Sequence, residues 1–331
     1  MRSFRFVFLV MSVIFLSACS SNKLEQVPMT LDVKGEKKLD AGIAYLLGAD
    51  DGVYAAHDFK GYDQLLVLSS ALELLESRDF EDFSTFIKDE RNDEVIRVYG
   101  DYKNKFVFNF IKKMDEYTFV TEKDGRTSAY YTEWHFFDET MIKFSKGSPV
   151  RIYKLPSFEQ TKEIPVLLPK YKVHHALSES KAFLHIFKED GNNHKVIDLD
   201  NGVILSDGYV ALTDRSEKVI GAIRFHDDII VFMKNKKLVQ LDERGNLIKA
   251  LPLQVSVESF GHVGDCLSIG TVDGHIAFIN KDLSTIYVTQ EVHNGWVSHV
   301  TTDQKGVGYS AGVDRKVVSW PVPEMCLSTD V

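Results

Sequence analysis

The sequence after residue 140 repeats one unit, in which two short apolar segments flank a tight polar turn. The last copy has its apolar segments at residues 307–311 and 317–320, around the polar stretch 314–316. Four earlier copies have theirs at 141–144 and 150–155, 183–187 and 196–199, 229–233 and 238–241, and 267–270 and 276–279. Short apolar runs joined in this way are typical of a β-hairpin. The sequence therefore predicts five β-hairpins in this part of the chain.

The spacing of these hairpins is nearly constant. The centres of their second strands are Tyr153, Ile197, Val239, Phe278 and Val318, which are 44, 42, 39 and 40 residues apart. A period of about 40 to 45 residues is typical of a β-propeller, in which each repeat forms one four-stranded blade. Extrapolation toward the N terminus predicts further centres at Phe108 and Tyr54. We therefore expect an all-β fold with seven blades in a single domain, with six or eight blades as alternatives.

The two ends of the repeat region carry further predictions. Tyr54 and Phe108 are 54 residues apart, which exceeds the period and predicts an insertion around residues 70–90. The acidic segment 70–87 could form an amphipathic helix or hold the first strand of the second blade. Only eleven residues follow Trp320, so we expect residues 27–33 to supply the outer strand of the last blade. A ring closed in this way leaves few exposed sheet edges.

The first 19 residues have the pattern of an export signal. Two basic residues, Arg2 and Arg5, precede an apolar run at 6–16 that is too short to cross a bilayer comfortably. The run ends in Leu16-Ser17-Ala18-Cys19, which resembles the lipobox of bacterial lipoproteins. In that family the signal peptide is cut before the cysteine, and the cysteine carries lipid. An ordinary secretory signal with a chance cysteine is the alternative.

The lipoprotein resemblance implies a domain division and a location. Residues 1–18 would be the signal peptide, 19–26 a lipidated tether and 27–331 the propeller domain. Two or three acyl chains on Cys19 would anchor the protein stably, whereas one chain binds only marginally. Ser20 and Ser21 follow the cysteine instead of an aspartate, which in this family implies the periplasmic side of the outer membrane.

The charge of the chain restricts its partners. Of 39 Lys and Arg residues, Arg2 and Arg5 lie in the signal, which leaves 37 basic against 48 acidic side chains. Nucleic acids and anionic membrane surfaces both favour clustered positive charge. We therefore predict no nucleic-acid partner, and expect membrane attachment to depend on lipid at Cys19.

The last copy contains a set of polar residues with a recognisable spacing. His293 precedes Asp314 by 21 residues, Ser310 lies on the strand before the turn, and Trp320 follows Asp314 by six. This segment resembles a WD40 repeat, a family in which these four positions form a hydrogen-bonded chain. The resemblance implies a buried structural network of His293, Ser310, Asp314 and Trp320. In the sixth copy Thr271 and Asp273 match the family, but Ile279 stands in place of tryptophan.

A histidine, a serine and an aspartate could also form a hydrolase triad. However, no Gly-x-Ser-x-Gly motif surrounds Ser310, and the repeat already explains the spacing. We therefore predict no catalytic residues. The adjacent pair His174 and His175 would point to opposite faces of a strand, so we predict no metal site and no cofactor.

Cys266 and Cys326 are the cysteines besides Cys19. Export would place them in an oxidising compartment, and the propeller arrangement would put both on one face in adjacent blades. A disulfide between them and two buried free thiols both remain open.

The function predicted from these features is a non-catalytic scaffold that binds an envelope or periplasmic protein. One alternative is an accessory or assembly factor for an envelope or periplasmic respiratory complex, because residues 312–320 loosely resemble propellers found near periplasmic nitrate reductases. Another is a propeller enzyme of lactonase or hydrolase type. Fold alone does not choose among these functions.

Overall fold

The computed structural model describes residues 23–59, 62–80, 85–89, 94–101, 105–110, 115–120, 132–145, 149–166, 173–188, 194–206 and 218–327. Cys19 and the predicted signal peptide lie outside these ranges. Within them, the regular structure consists of β-strands and one short 3-10 helix, Glu324–Cys326. No helix of the described chain is long and apolar enough to cross a membrane.

The strands, in chain order, are β1 (Glu25–Met29), β2 (Gly35–Lys38), β3 (Ile43–Ala49), β4 (Gly52–Phe59), β5 (Tyr62–Ser69), β6 (Leu74–Phe80), β7 (Thr85–Asp89), β8 (Glu94–Asp101), β9 (Lys105–Phe110), β10 (Asp115–Val120), β11 (Thr132–Phe137), β12 (Thr140–Ser145), β13 (Val150–Lys154), β14 (Glu159–Ile164), β15 (Val173–Leu177), β16 (Phe183–Lys188), β17 (His194–Asp198), β18 (Val203–Ser206), β19 (Val219–Phe225), β20 (Asp228–Met233), β21 (Lys237–Leu241), β22 (Leu247–Pro252), β23 (Val257–Val263), β24 (Cys266–Thr271), β25 (His275–Ile279), β26 (Thr285–Glu291), β27 (Val297–Thr302), β28 (Val307–Gly312) and β29 (Lys316–Pro321).

The described strands pair into seven sheets, which we number as blades 1 to 7. Strands β3–β6, β7–β10, β11–β14, β15–β18 and β19–β22 form blades 1 to 5, each an antiparallel meander of four strands. Blade 6 contains β23–β26 and, at its outer edge, β1; blade 7 contains β27–β29 and β2. The five hairpins predicted from the repeat are the second and third strands of blades 3 to 7.

The first strand of each blade lies on the inside of a closed ring. Direct contacts join β7 to β11, β15 to β19, β19 to β23, β23 to β27 and β27 to β3. Contacts between aromatic side chains join the remaining neighbours. Tyr45 of β3 contacts Phe86 of β7 at 5.7 Å between ring centroids, and His135 of β11 contacts His175 of β15 at 4.5 Å. The blades are therefore arranged around a central axis, and the fold is a β-propeller of WD40 type.

The hydrophobic core is divided among the interfaces between neighbouring blades. Seven buried clusters within the described residues each join two consecutive blades, including one between blades 7 and 1. In the cluster between blades 6 and 7, for example, Phe278 and Trp320 are completely buried. Because a buried aliphatic or aromatic side chain contributes about 1.5 to 3 kcal/mol, each of these clusters stabilises the contact between its two blades.

The two faces of the propeller are defined by the turns that they carry. The turns between first and second strands, and between third and fourth strands, lie on one face, which we call the lower face. The turns between second and third strands, and the links from one blade to the next, lie on the upper face. This assignment follows from the antiparallel order of strands in every blade.

The N-terminal closure differs from the sequence prediction. Residues 27–33 do not form the outer strand of blade 7: β1 pairs in parallel with β26 of blade 6, and the later strand β2 pairs with β29. The side chain of Gln290 accepts a hydrogen bond from the backbone N–H of Leu31 at 2.8 Å and donates one to its carbonyl at 2.9 Å. The chain therefore leaves blade 6 only after Leu31. The predicted domain boundary at residue 27 also falls inside β1, and Leu24 is already buried at 2% exposure.

The insertion predicted around residues 70–90 is absent from the repeat. Tyr54 lies in β4, the second strand of blade 1, and the third strand is β5. Leu65 of β5 is 43 residues before Phe108 of β9, which matches the period. Strands β6 and β7 occupy 74–80 and 85–89, so these ranges are not helical. The polar turn before Gly52 resembles the turns between second and third strands, which explains the error.

Candidate functional site

The polar residues of the last repeat meet on the upper face of blade 7. His293 lies in the link between β26 and β27, Ser310 in β28 and Asp314 in the turn between β28 and β29. His293 Nδ1 is 3.1 Å from Asp314 Oδ1, and His293 Nε2 is 2.8 Å from Ser310 Oγ. His293 and Ser310 are 1% and 0% exposed. These contacts fix the link between blades 6 and 7 against the hairpin of blade 7.

The protonation of this network follows from its partners. Burial lowers the pKa of His293 despite the opposing effect of Asp314, so the imidazole is neutral at pH 7. Burial alone would raise the pKa of Asp314, but hydrogen bonds from His293 and from the backbone of Asn294 and Lys316 outweigh it, and this pKa is lowered. His293 therefore donates its Nδ1 proton to the carboxylate, and its Nε2 accepts the hydroxyl proton of Ser310.

Trp320 does not belong to this hydrogen-bonded chain, which corrects the expectation from the WD40 resemblance. Its indole Nε1 is buried and has no hydrogen-bond partner among the described residues. The ring instead lies over Gly308, its neighbour across the two strands, and packs edge-on against Phe278 at 5.4 Å between centroids. A Cβ at Gly308 would lie 1.9 Å from a carbon of the indole ring. Trp320 is thus a core residue, and the polar network ends at Ser310.

The network holds two exposed apolar side chains side by side. Trp296, in the same link as His293, is 53% exposed, and Val313, in the same turn as Asp314, is 55% exposed. The backbone N–H of Val313 donates to the carbonyl of Trp296 at 3.0 Å. The backbone N–H of Asn294 donates to Asp314 Oδ2 at 3.1 Å, which gives a second hydrogen bond between the same two loops. We call Trp296 and Val313 the upper apolar pair.

This arrangement favours binding over catalysis at the same residues. A histidine between a serine and an aspartate has the connectivity of a hydrolase triad. However, a nucleophile has to reach its substrate, and Ser310 is completely buried beneath the loops. The exposed residues of the two loops include the apolar Trp296 and Val313. Among the described residues, no group of three or more His, Cys, Asp or Glu side chains is placed to hold a metal ion.

The neighbouring blade shows what the network adds. In blade 6, Asp273 occupies the position that matches Asp314, whereas Thr271 matches Gly312. The Thr271 hydroxyl donates to Asp273. No histidine joins this pair, and the carboxylate accepts no bond from the link between blades 5 and 6 in the described chain. Asp273 is exposed. The turn of blade 6 is joined to that link through its backbone, where the N–H of Val272 donates to the carbonyl of Ser256 at 3.2 Å.

Cys266 and Cys326 form a disulfide, which settles the alternative that the sequence left open. Their Cα atoms are 5.0 Å apart, and 60 residues separate them in the chain. Cys266 begins β24 in blade 6, whereas Cys326 ends the 3-10 helix that follows blade 7. The bond therefore ties the segment after the last strand to the lower face of blade 6.

A second buried polar chain was not found from the sequence. His185 and His194 lie on neighbouring strands of blade 4, with 3.1 Å between Nδ1 and Nε2, and His185 Nε2 is 2.8 Å from the carbonyl oxygen of Glu243 in blade 5. The carbonyl can only accept, so His185 donates through Nε2 and accepts from His194 through Nδ1. Burial lowers their pKa values to about 4 and about 3. The sequence does not predict this contact, because His185 and Glu243 lie 58 residues apart and come together only where blade 4 packs against blade 5.

The lower face carries a groove. It has a volume of about 480 Å³ and is lined by turns of blades 4, 5 and 6. Arg224 forms an ion pair with Glu179 at 2.8 Å inside it, and Lys281 and Asp227 add one charge of each sign. The groove therefore does not select an anion or a cation.

Comparison with known proteins supports the fold. The propeller and its histidine network define the class of the chain, a WD40-type β-propeller. Two similar solved structures are Raptor from Chaetomium thermophilum (TM-score 0.69, 10% identity) and the WD40 β-propeller domain of Doa1 (TM-score 0.64, 12% identity). The first match covers 91% of this chain and 30% of Raptor, and the second covers 90% of this chain and 99% of the Doa1 domain. No protein-family model and no curated protein matches the chain.

Proposed function

We propose that the chain is a lipid-anchored, non-catalytic scaffold that binds a partner protein of the cell envelope through the upper face of blade 7. The observation that carries this proposal is the upper apolar pair, which is exposed on two loops that the hydrogen bonds of His293 and Asp314 hold together. A rigid aromatic side chain loses little conformational entropy on binding, and tryptophan is enriched at the energetic centres of protein interfaces.

The proposed location rests on the sequence. The lipobox-like segment Leu16-Ser17-Ala18-Cys19 supports a lipid on Cys19, and Ser20 supports the periplasmic side of the outer membrane. The WD40-type fold of the two similar structures supports a binding role. The partner would be an envelope or periplasmic protein with an apolar pocket or groove for the indole of Trp296.

Site-specific photocrosslinking in intact cells tests this function. A photoreactive phenylalanine analogue at position 296 should give a discrete adduct with one protein, because the side chain would lie inside the interface. The matched control is Lys234, an exposed residue in an upper turn of blade 5. The additional substitution Asp314→Ala should weaken the adduct at 296 by releasing the loop. Absence of an adduct at 296, or the same adducts at 296 and 234, would contradict the proposed binding surface.

The anchor is tested separately. Mass spectrometry of the purified protein should find acyl chains on Cys19, and Cys19→Ala should move the protein out of the membrane fraction. An unmodified Cys19 in a membrane-free protein would refute the lipoprotein part of the proposal and leave the binding surface to be judged by crosslinking.

A further inference from the structure

The first described residues lie at one edge of the lower face. Leu24 is 2% exposed and belongs to the same buried cluster as Leu251 and Leu283. The backbone N–H of Glu25 donates to the carbonyl of Ser284 at 2.9 Å. Ser284 lies in the turn between β25 and β26, which is on the lower face of blade 6. Any segment that precedes Leu24 therefore joins the propeller there.

The distance from this point to the lipidation site is short. Cys19 precedes Leu24 by five residues, and five residues span about 17 Å when fully extended. A strand of six residues is itself about 20 Å long. A lipid on Cys19 would therefore hold the lower edge of blade 6 close to the membrane and leave the upper face a strand length farther away. This step rests on the anchor in the proposed function.

Exposed apolar side chains are concentrated at the same end of the blades. Ten large apolar side chains are exposed in the described chain. Five of them are the first or second residue of an outer strand, immediately after a lower turn: Leu74, Leu75, Val203, Leu247 and Ile248. Leu247 and Ile248, at 48% and 50% exposure, belong to the outer strand of blade 5, whose Leu251 is in the same buried cluster as Leu24. Lys249 Nζ of the same strand donates to the carbonyl of Asp282 in the lower turn of blade 6 at 3.2 Å.

We propose that the lower rim of blades 5 and 6 rests on the membrane that carries the lipid of Cys19, with Leu247 and Ile248 in the interfacial region. The acyl chains provide the attachment. The two apolar side chains orient the propeller, because their transfer from water into the membrane interface is favourable. Attachment does not depend on charge, in agreement with the excess of acidic residues. The upper apolar pair then points away from the membrane, where a partner protein can reach it.

Fluorescence quenching in vesicles measures this orientation. The full mature lipoprotein is reconstituted into phosphatidylethanolamine–phosphatidylglycerol vesicles that contain a nickel-chelating lipid as a headgroup quencher. A bimane label is placed through Arg244→Cys, in a lower turn of blade 5, or through Lys234→Cys, in an upper turn of the same blade. Both positions are exposed and basic, and Cys266 and Cys326 are bonded to each other. Because the labels differ in height by about a strand length, we expect at least about threefold more quenching at 244.

A second pair of variants tests the apolar contact. Ile248→Asp should reduce the quenching at 244, while Leu75→Asp, at the same strand position in blade 1, should not. Equal quenching at 244 and 234, stronger quenching at 234, or equal effects of the two aspartates would overturn the orientation even if Cys19 carries lipid and position 296 crosslinks. Absence of lipid on Cys19 would refute the anchor and the orientation together. Loss of only the crosslink would refute only the binding surface.

Discussion

The carboxylate of Asp314 provides the sharpest test of the network in blade 7. It accepts hydrogen bonds from His293 Nδ1 and from the backbone N–H groups of Asn294 and Lys316. The substitution Asp314→Ala would leave a buried imidazole N–H and two loop N–H groups without their acceptor. A hydrogen bond to a charged group contributes about 1.5 to 3 kcal/mol, and water can replace the acceptor only at the two loop groups. We therefore expect a loss of about 3 kcal/mol in the free energy of unfolding.

Asp273→Ala is the matched control for this substitution. Asp273 holds the same position in the turn of blade 6, but its carboxylate is exposed and accepts from Thr271 within its own turn. We expect a loss of about 1 kcal/mol or less, since one exposed hydrogen bond is replaced by water. Asp314→Asn, which keeps an acceptor and loses the charge, should fall between the two.

Urea unfolding, monitored by circular dichroism with the disulfide intact, measures these differences. The relevant quantity is the shift of the midpoint multiplied by the common slope. If Asp314→Ala lowered stability no more than Asp273→Ala, the reasoning that the histidine network braces blade 7 would be refuted. Equal stability of Asp314→Asn and the unmodified protein would show that the charge contributes nothing.

Three further predictions concern other parts of the molecule. Gly308→Ala should destabilise the protein by about 3 kcal/mol in the same urea assay, because its Cβ would overlap the Trp320 ring, whereas Gly42→Ala, where a Cβ meets nothing within 4 Å, should be neutral. Cys326→Ser should cost about 4 kcal/mol by opening a loop of 60 residues, and dithiothreitol should lower the thermal midpoint of the unmodified protein but not of the variant. The folded-state pKa of His185 is lowered to about 4, so the folded state binds this proton less tightly than the unfolded state. His185 alone should therefore lower the stability by about 2 kcal/mol when the pH drops from above 6.5 to 5. Burial also lowers the pKa values of His135 and His262 to about 4, so these histidines add to the same loss. His185→Gln combined with His194→Gln should reduce the pH dependence of stability without abolishing it, and an unchanged pH dependence in the double variant would show that the pair does not contribute.

Local patterns predicted the hairpins well because a hairpin is encoded by neighbouring residues. The apolar segments that flank Asp314 and Asp273 are strands in the structure, and their spacing indicated a propeller. The same local logic failed at Tyr54, because a polar turn followed by apolar residues occurs between first and second strands as well as between second and third.

Contacts between distant segments could not be predicted in this way. The side chain of Gln290 decides where the N-terminal segment leaves blade 6, although it is 259 residues from Leu31. Trp320 has the spacing of a network residue, but the absence of a side chain at Gly308 lets its ring settle into the core. The hydrogen bond from His185 to the carbonyl of Glu243 likewise depends on how a turn of blade 5 packs against blade 4.

The pairing of the first strands with the last ones has a consequence for the order of folding. Glu25 of β1 is aligned with Thr285, and Gly35 of β2 with Ser319. The ribosome makes β1 and β2 first, yet their hydrogen-bonding partners are 260 and 284 residues later in the chain. Such distant pairings slow folding and leave unpaired strand edges exposed while synthesis continues. The ring can therefore close only after β29 has been made, and a product truncated before β29 would keep β2 as an open edge for another chain to join.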